Sequence, residues 1–201
     1  MEHRFKVLVI RFSSIGDIVL TTSLLNSIKT TYDKSEIHFL TLDRFSPILE
    51  MQPDIDRLVV LNSSSGVNDL IKLNRYIKSS EYDIIFDLHG SIRSRIVTLG
   101  LNETVSRVKK LRLSRFILFQ LHLNIFPKDY SSSIMYHQCF EDYDMTNIPK
   151  TLLRVSNSEK RSARLGLKEN GIDSNFIILI PGAAWSQKQW HVEKYHEVIK
   201  S

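Results

Sequence analysis

Asp17, His89, Arg93 and Lys188 are the side chains of this sequence whose types and local settings could do chemistry. Asp17 closes the run VLVIRFSSIGDI, residues 7–18, in which four apolar residues lead into a turn built from Ser13, Ser14 and Gly16. Two readings fit it. As a helix-start carboxylate it would interact with the positive end of the helix dipole, a contribution of about 0.3–1 kcal/mol. As a general base it would take a proton from an attacking hydroxyl, provided the hydroxyl comes within hydrogen-bond reach. Ser13, Ser14 and Gly16 are short or achiral, so the backbone can bend there and approach a ligand closely, and Ser14 or Asp17 can cap the helix that follows. His89 follows another apolar run, IIFDL, and reads either as a donor to a ligand or as a polar loop residue. Arg93 and Lys188, taken alone, read as solvated cations near the ends of such segments.

These residues need a scaffold that brings loops together. Residues 7–10, Val-Leu-Val-Ile, form a continuous apolar run, the pattern of a strand covered on both faces in a parallel sheet. Ile18, Thr21, Leu25 and Ile28 recur at helical intervals, so a helix is expected from about residue 18 to 32. Strands are expected at 36–42, 57–61 and 83–88, a short helix at 45–51, and a helix marked by Leu70, Leu73 and Ile77. A further helix is expected at 91–101, with Ile92, Ile96 and Leu99 inward. Strands alternating with helices at this spacing predict an α/β fold with a parallel sheet, because parallel neighbours need crossover connections. In such a sheet ligands bind beyond the carboxyl ends of the strands, where Asp17 and His89 fall. Residues 147–157 carry Pro149 and no helical stripe and read as a connection. A helix is expected over 158–170, capped by Ser158 and stopped by Gly171, then a buried strand at 176–180 and a helix from about Val192.

With 42% hydrophobic and 24% charged residues, the 201-residue chain is ordinary for a globular protein. A formal charge of +5 points to an anionic partner without choosing among nucleic acid, lipid and phosphorylated glycan. The single Cys139 excludes an internal disulfide framework and fits a reducing cytoplasm. Residues 1–11 lack the pattern of a secretory signal, and no stretch reaches the ~18 apolar residues of a spanning helix, so a cytoplasmic protein with at most peripheral membrane contact is expected. Arg107, Lys109, Lys110, Arg112 and Arg115 flank the apolar run Phe116, Ile117, Leu118, Phe119 and Leu121. That is the pattern of a helix lying on an anionic membrane, and equally of a helix whose apolar face is core. The turn SSIGD lacks the G-x-G-x-x-G spacing of a dinucleotide site, which argues against a nicotinamide-dependent oxidoreductase.

Four stretches, in order, resemble the ADP-heptose:lipopolysaccharide heptosyltransferases, glycosyltransferase family 9. They are RFSSIGDIVLTTSLLNSIK from residue 11, YDIIFDLHGSIRS at 82–94, residues 136–143, similar to a His-led helix closing the family's first domain, and IPGAAWSQKQW at 180–190. The resemblance implies a GT-B architecture of two Rossmann-like domains. It implies an N-terminal acceptor-side domain over 1–150, and over 151–201 a linker with the first strand and helices of a nucleotide-sugar domain, incomplete as written. The implied reaction is inverting transfer of heptose from ADP-heptose to the anionic lipopolysaccharide inner core at the inner face of the cytoplasmic membrane, with no cofactor, metal or nucleic acid. The alternative is an inactive remnant that binds acceptor or membrane only.

On this resemblance Asp17 is the general base. Lys188, Ser186 and Gly182 lie on the donor side, with Lys188 meeting the diphosphate, while Ser14, Gly16, His89 and Arg93 contact the acceptor. His89 stands where the family usually has an amide, and His191 where it usually has a proline after the tryptophan.

Overall fold

The computed structural model describes residues 4–101, 104–141, 143–183, 186 and 189–200. The chain divides into two compact units, Met1–Val155 and Ser156–Ser201. The first is built on five parallel strands, β1 (Lys6–Ile10), β2 (Glu36–Leu42), β3 (Arg57–Leu61), β4 (Ile84–Asp87) and β5 (Val105–Arg107), in the order β3-β2-β1-β4-β5. The apolar run of β1 is central for the reason its sequence suggests: Val7, Leu8, Val9 and Ile10 are all fully buried. Alternate residues serve opposite faces. Val7 and Val9 join Phe39 and Phe86 in one core, whereas Leu8 and Ile10 join Leu40 and Ile85 in the other.

Helix α1 (Ile15–Thr31) lies on the first face with Ile18, Leu24, Leu25 and Ile28 inward, beside the short α5 (Ser132–His137) that supplies Met135 and Tyr136. Helices α2 (Val67–Ser79) and α3 (Ile92–Val97) cover the second face through Leu70, Ile77 and Val97. Each fully buried aliphatic side chain of this kind contributes about 1.5–3 kcal/mol. α5 is locked to α1 by polar contacts as well: Ser27 Oγ lies 3.0 Å from His137 Nε2 and 2.9 Å from the Tyr143 hydroxyl.

Several boundaries differ from the sequence expectation. α1 begins at Ile15, three residues early, which places Asp17 inside its first turn, with Ser14 at the cap position. Residues 43–49 form a 3₁₀ helix. α3 is one short helix in which Ile96 packs against the core as expected and Ser94 and Val97 are buried, while Ile92 and, beyond the helix, Leu99 are exposed; Ser94 is drawn inward to hydrogen-bond the buried Asp87. The three-residue β5 has too little pattern to read. The helix matched to 136–143 instead spans Ser132–His137, started by the Ser131 hydroxyl, which accepts from Ile134 N. Between β5 and α5 lies α4 (Arg112–Leu121), none of whose residues is buried.

In the second unit, α6 (Asn157–Glu169) is capped by Ser156 rather than Ser158, because the Ser156 hydroxyl accepts from Glu159 N at 3.1 Å while the Glu159 carboxylate accepts from Ser156 N at 2.7 Å. Gly171, at φ +73°, follows it in the left-handed conformation that favours glycine. The expected strand at 176–180 is not formed. A strand requires a neighbour for its ladder, none lies beside it among the described residues, and Ile177 is 95% exposed. α7 (Val192–Lys200) follows.

Candidate functional site

The order of strands reverses direction between β1 and β4: the chain winds outward from β1 to β2 and β3, then returns to β4 and continues to β5. Loops leaving the carboxyl ends of β1 and β4 therefore diverge and leave a crevice, the place where open α/β sheets hold ligands. Arg11 and Asp87 stand at that edge, one directly after β1 and one ending β4.

Arg11 is 6% exposed, and its guanidinium bridges the two loops. Nη1 donates to the Leu88 carbonyl at 2.5 Å and Nη2 pairs with Asp17 Oδ2 at 2.6 Å. Asp17 Oδ2 also accepts from Ser14 N (3.2 Å) and Ser14 Oγ (2.9 Å), and Oδ1 accepts from the Tyr136 hydroxyl (2.8 Å). Partial burial alone would raise this carboxyl. The Arg11 charge, then the Tyr136 and Ser14 donors, outweigh it and hold Asp17 below the usual carboxylate range. Asp17 is thus ionised at neutral pH with its side chain one-third exposed.

Asp87, fully buried, organises the other loop. Oδ1 accepts from His89 N (3.1 Å) and Gly90 N (2.9 Å), and Oδ2 from Ser94 Oγ (2.9 Å) and Arg107 Nε (2.7 Å). Arg107 Nη2 continues to Thr98 Oγ1 at 2.8 Å, so one carboxylate ties β4, the loop, α3 and β5 together. Gly90 adopts φ +56°, and a Cβ there would come within 3.1 Å of Val108 Cγ1, so both backbone and space call for glycine.

His89 sits edge-on to Phe12 at 5.1 Å between ring centres. Burial first, then the cations Arg11 and Lys110, push its imidazole down to about 4, so it is neutral at pH 7. Lys110 Nζ donates to the His89 carbonyl and Arg112 Nη2 to the Gly90 carbonyl at 3.3 Å. Burial and then the neighbouring Arg11 and Arg112 lower the Lys110 ammonium below its ordinary value. Cations held this close favour an anionic ligand, since a negative charge relieves their repulsion. A cavity of about 440 Å³ beside Gly90 is lined by Arg95, Arg107, Lys109, Lys110 and Arg112, with no carboxylate among the described residues.

Of the residues singled out from sequence, Asp17, Ser14 and His89 converge on this crevice. Arg93 lies at the first turn of α3, partly exposed. Gly16 is the second residue of α1, where an added Cβ would meet nothing within 4 Å, so packing does not demand glycine there. Gly182 belongs to the second unit and lines a cavity of about 450 Å³ with Trp190 and Tyr195. Ser186 is exposed and its carbonyl accepts from Gln189 N. Lys188 lies outside the described residues. Arg11, Asp87, Lys110 and Tyr136 were missed as site residues. Arg11 and Asp87 carried a signal, a charge placed directly at the carboxyl end of an apolar strand run, VLVIR and IIFD.

A doubly wound parallel sheet with an ionised carboxylate and clustered cations at its switch point defines an α/β protein whose crevice is electrostatically suited to an anionic ligand. The model of glycosyltransferase family 9 (heptosyltransferase) matches residues 70–201, more than half of the chain, and the chain belongs to that family. It is similar to lipopolysaccharide heptosyltransferase 1 of Campylobacter coli, with 30% identity over 94 residues that cover 46% of this chain and 28% of the relative. Among solved structures it resembles a family 9 glycosyltransferase from Veillonella parvula (TM-score 0.76, 18% identity) and the E. coli ADP-heptose LPS heptosyltransferase II (TM-score 0.63, 22% identity). These likenesses cover 98% and 97% of this chain, and the chain spans 60% of each of those proteins. At these identities the two structures speak for the fold. The family's description is that of glycosyltransferases, and the chain spans little more than a quarter of the length of the Campylobacter coli relative.

Proposed function

We propose that this chain serves inverting transfer of heptose from ADP-heptose to an anionic sugar of the lipopolysaccharide inner core. The observation that carries the reading is the ionised, one-third exposed Asp17 carboxylate at the sheet's switch point, in a crevice otherwise rich in cations. An acceptor hydroxyl would attack the anomeric carbon from the face opposite the diphosphate. The new C–O bond forms as the bond to the diphosphate oxygen breaks, the hydroxyl proton passes to Asp17, and ADP leaves with the bonding electrons. A carboxyl held below its usual range is a weak base towards a free alcohol. It suffices here because the hydroxyl becomes strongly acidic as its bond to carbon forms.

Ser14, Gly16, His89 and Arg93 take the acceptor in this reading, and the Gly90 cavity with its arginines and lysines supplies the attraction for its negative groups. The neutral His89 offers hydrogen bonding without competing as a cation. Lys188, Ser186 and Gly182 take the donor, where positive charge and backbone N–H groups would stabilise the departing diphosphate. We place residues 1–150 on the acceptor side and 151–201 at the start of the donor side. Incubation with ADP-heptose and a deacylated core acceptor is the direct test. ADP release that requires both compounds supports the reading, whereas acceptor-independent hydrolysis or transfer from another nucleotide sugar alone would overturn it.

The protein works, in this proposal, in the cytoplasm at the inner face of the membrane, held peripherally by α4. No helix among the described residues is long and apolar enough to cross a membrane. α4 and the chain just after it expose Leu113 (69%), Phe116 (60%), Phe119 (69%) and Leu123 (58%), next to Lys109, Lys110, Arg112 and Arg115, and residues 105–128 contain no Asp or Glu. Apolar side chains beside unbroken positive charge match the boundary of an anionic bilayer. Each surface cation is worth about 1 kcal/mol there, so Lys109→Glu with Arg115→Glu should weaken binding to phosphatidylglycerol vesicles by at least about tenfold. Added salt should weaken the parent in the same way. Co-sedimentation unchanged by both charge reversals would refute the docking surface.

A further inference from the structure

The two oxygens of Asp17 are unequally engaged. Among the described residues, Oδ2 receives Arg11 Nη2 and both donors of Ser14, whereas Oδ1 receives only the Tyr136 hydroxyl, at 2.8 Å. A carboxylate oxygen accepts about two hydrogen bonds, so Oδ2 is saturated and Oδ1 keeps one lone pair. Tyr136 arrives from 119 residues further along the chain. Its ring is 1% exposed, and the Arg11 guanidinium lies over it at 5.4 Å from the ring centre. The same phenol therefore touches both members of the Arg11–Asp17 pair. The helix that carries it is fastened to α1, the helix of Asp17, by the neighbouring His137–Ser27 contact.

We infer that Tyr136 is a positioning residue for the transfer reaction: its hydroxyl sets the rotation of the Asp17 carboxylate so that Oδ1, with its remaining lone pair, is the atom that receives the acceptor's proton. This rests on the reading of Asp17 as general base. Without the phenol, the carboxylate would be held at Oδ2 alone and could turn about its χ2 torsion, which for a carboxylate is broad. Tyr136 is not itself a competing base. Burial, partly countered by Arg11 and reinforced by its hydrogen bond to Asp17, raises its own hydroxyl above the ordinary phenol value.

The groups that set the Asp17 carboxyl are Arg11 from the end of β1, Tyr136 from α5 and Ser14 from the loop after β1, while His89 from the loop after β4 and Lys110 from beyond β5 are the titratable groups that feel its charge. Tyr136→Phe removes one donor and leaves the ring, and with it the Arg11 stacking. The Asp17 carboxyl should then titrate at higher pH, read by carboxyl ¹³C NMR of the chain. The acid limb of kcat/KM should move upward with it, and kcat should fall by on the order of tenfold with donor KM unchanged. Tyr130→Phe, which removes a nearby hydroxyl bonded to Met135 Sδ rather than to Asp17, should change neither. 3-Fluorotyrosine at position 136, a stronger donor of nearly the same size, should move the titration downward and covers the case in which the phenylalanine variant does not fold.

An Asp17 titration unmoved by either change at 136 overturns the inference, as does a titration that moves while the kinetic limb stays. Failure of the underlying reading is separately visible. It would appear as undiminished turnover in Asp17→Asn, an outcome that also ends the positioning role while the NMR result stands as a contact without catalytic use.

Discussion

Replacing Asp17 by asparagine is expected to leave a folded protein in which acceptor-dependent ADP release is slower by on the order of 10² to 10⁴, with donor affinity nearly unchanged. Asparagine keeps the shape and can still accept from Ser14, but its amide cannot take a proton at neutral pH. Neither Ser13 nor Ser14 can replace it. A carboxylate that merely started a helix would cost no more than ~1 kcal/mol on removal and would leave turnover intact. The ion pair to the buried Arg11 changes the stability side of this expectation. The guanidinium keeps its bond to the Leu88 carbonyl but loses its counter-charge, so a loss of about 1–3 kcal/mol is expected as well. The assay should therefore be run well below the variant's unfolding midpoint. A folded Asp17→Asn protein that transfers heptose at close to the parent rate would remove Asp17 from the mechanism.

The largest effect on stability is expected at Asp87. This carboxylate is fully buried, accepts four hydrogen bonds and faces Arg107 at 2.7 Å. Asp87→Asn retains the volume but turns one oxygen into an NH₂ that meets either the His89 and Gly90 N–H pair or the Ser94 and Arg107 donors, and it strands the guanidinium charge. Removing one partner of a buried pair costs about 3–5 kcal/mol, which corresponds to a fall in Tm of on the order of 10 °C for a domain of this size. The loop carrying His89 and Gly90 would lose its anchor, so activity should fall beyond what stability explains. Thermal and denaturant unfolding of Asp87→Asn, Arg107→Met and the double variant measure the coupling. The double variant should be more stable than additive single losses predict, because its charge is no longer stranded. A single-variant loss below about 1 kcal/mol would show that Asp87 does not hold the edge of the sheet together.

What the sequence determined by itself is the framework. Runs such as VLVI at 7–10 and EIHFLTL at 36–42 can be satisfied only by strands covered on both faces, and the helical recurrence of Ile18, Leu25 and Ile28 supplies one cover, so the parallel α/β sheet was legible from local pattern. The placement of Asp17 as a candidate at the sheet's edge was legible too, because a carboxylate behind a Ser-Ser-Ile-Gly turn at the end of a buried strand is a local arrangement. Its partners were not. Tyr136 reaches it across 119 residues, and Arg107 reaches Asp87 across 20, distances over which no periodicity carries information. The tertiary structure also decided α3 and α4. Ser94 turned inward against the apolar stripe because a buried carboxylate needs donors more than the core needs Ile92. α4, which fitted core and surface equally well on paper, lies with no residue buried. Residues 176–180 show the same principle from the other side: an apolar run specifies a strand only where neighbouring strands accept its ladder, and among the described residues none does.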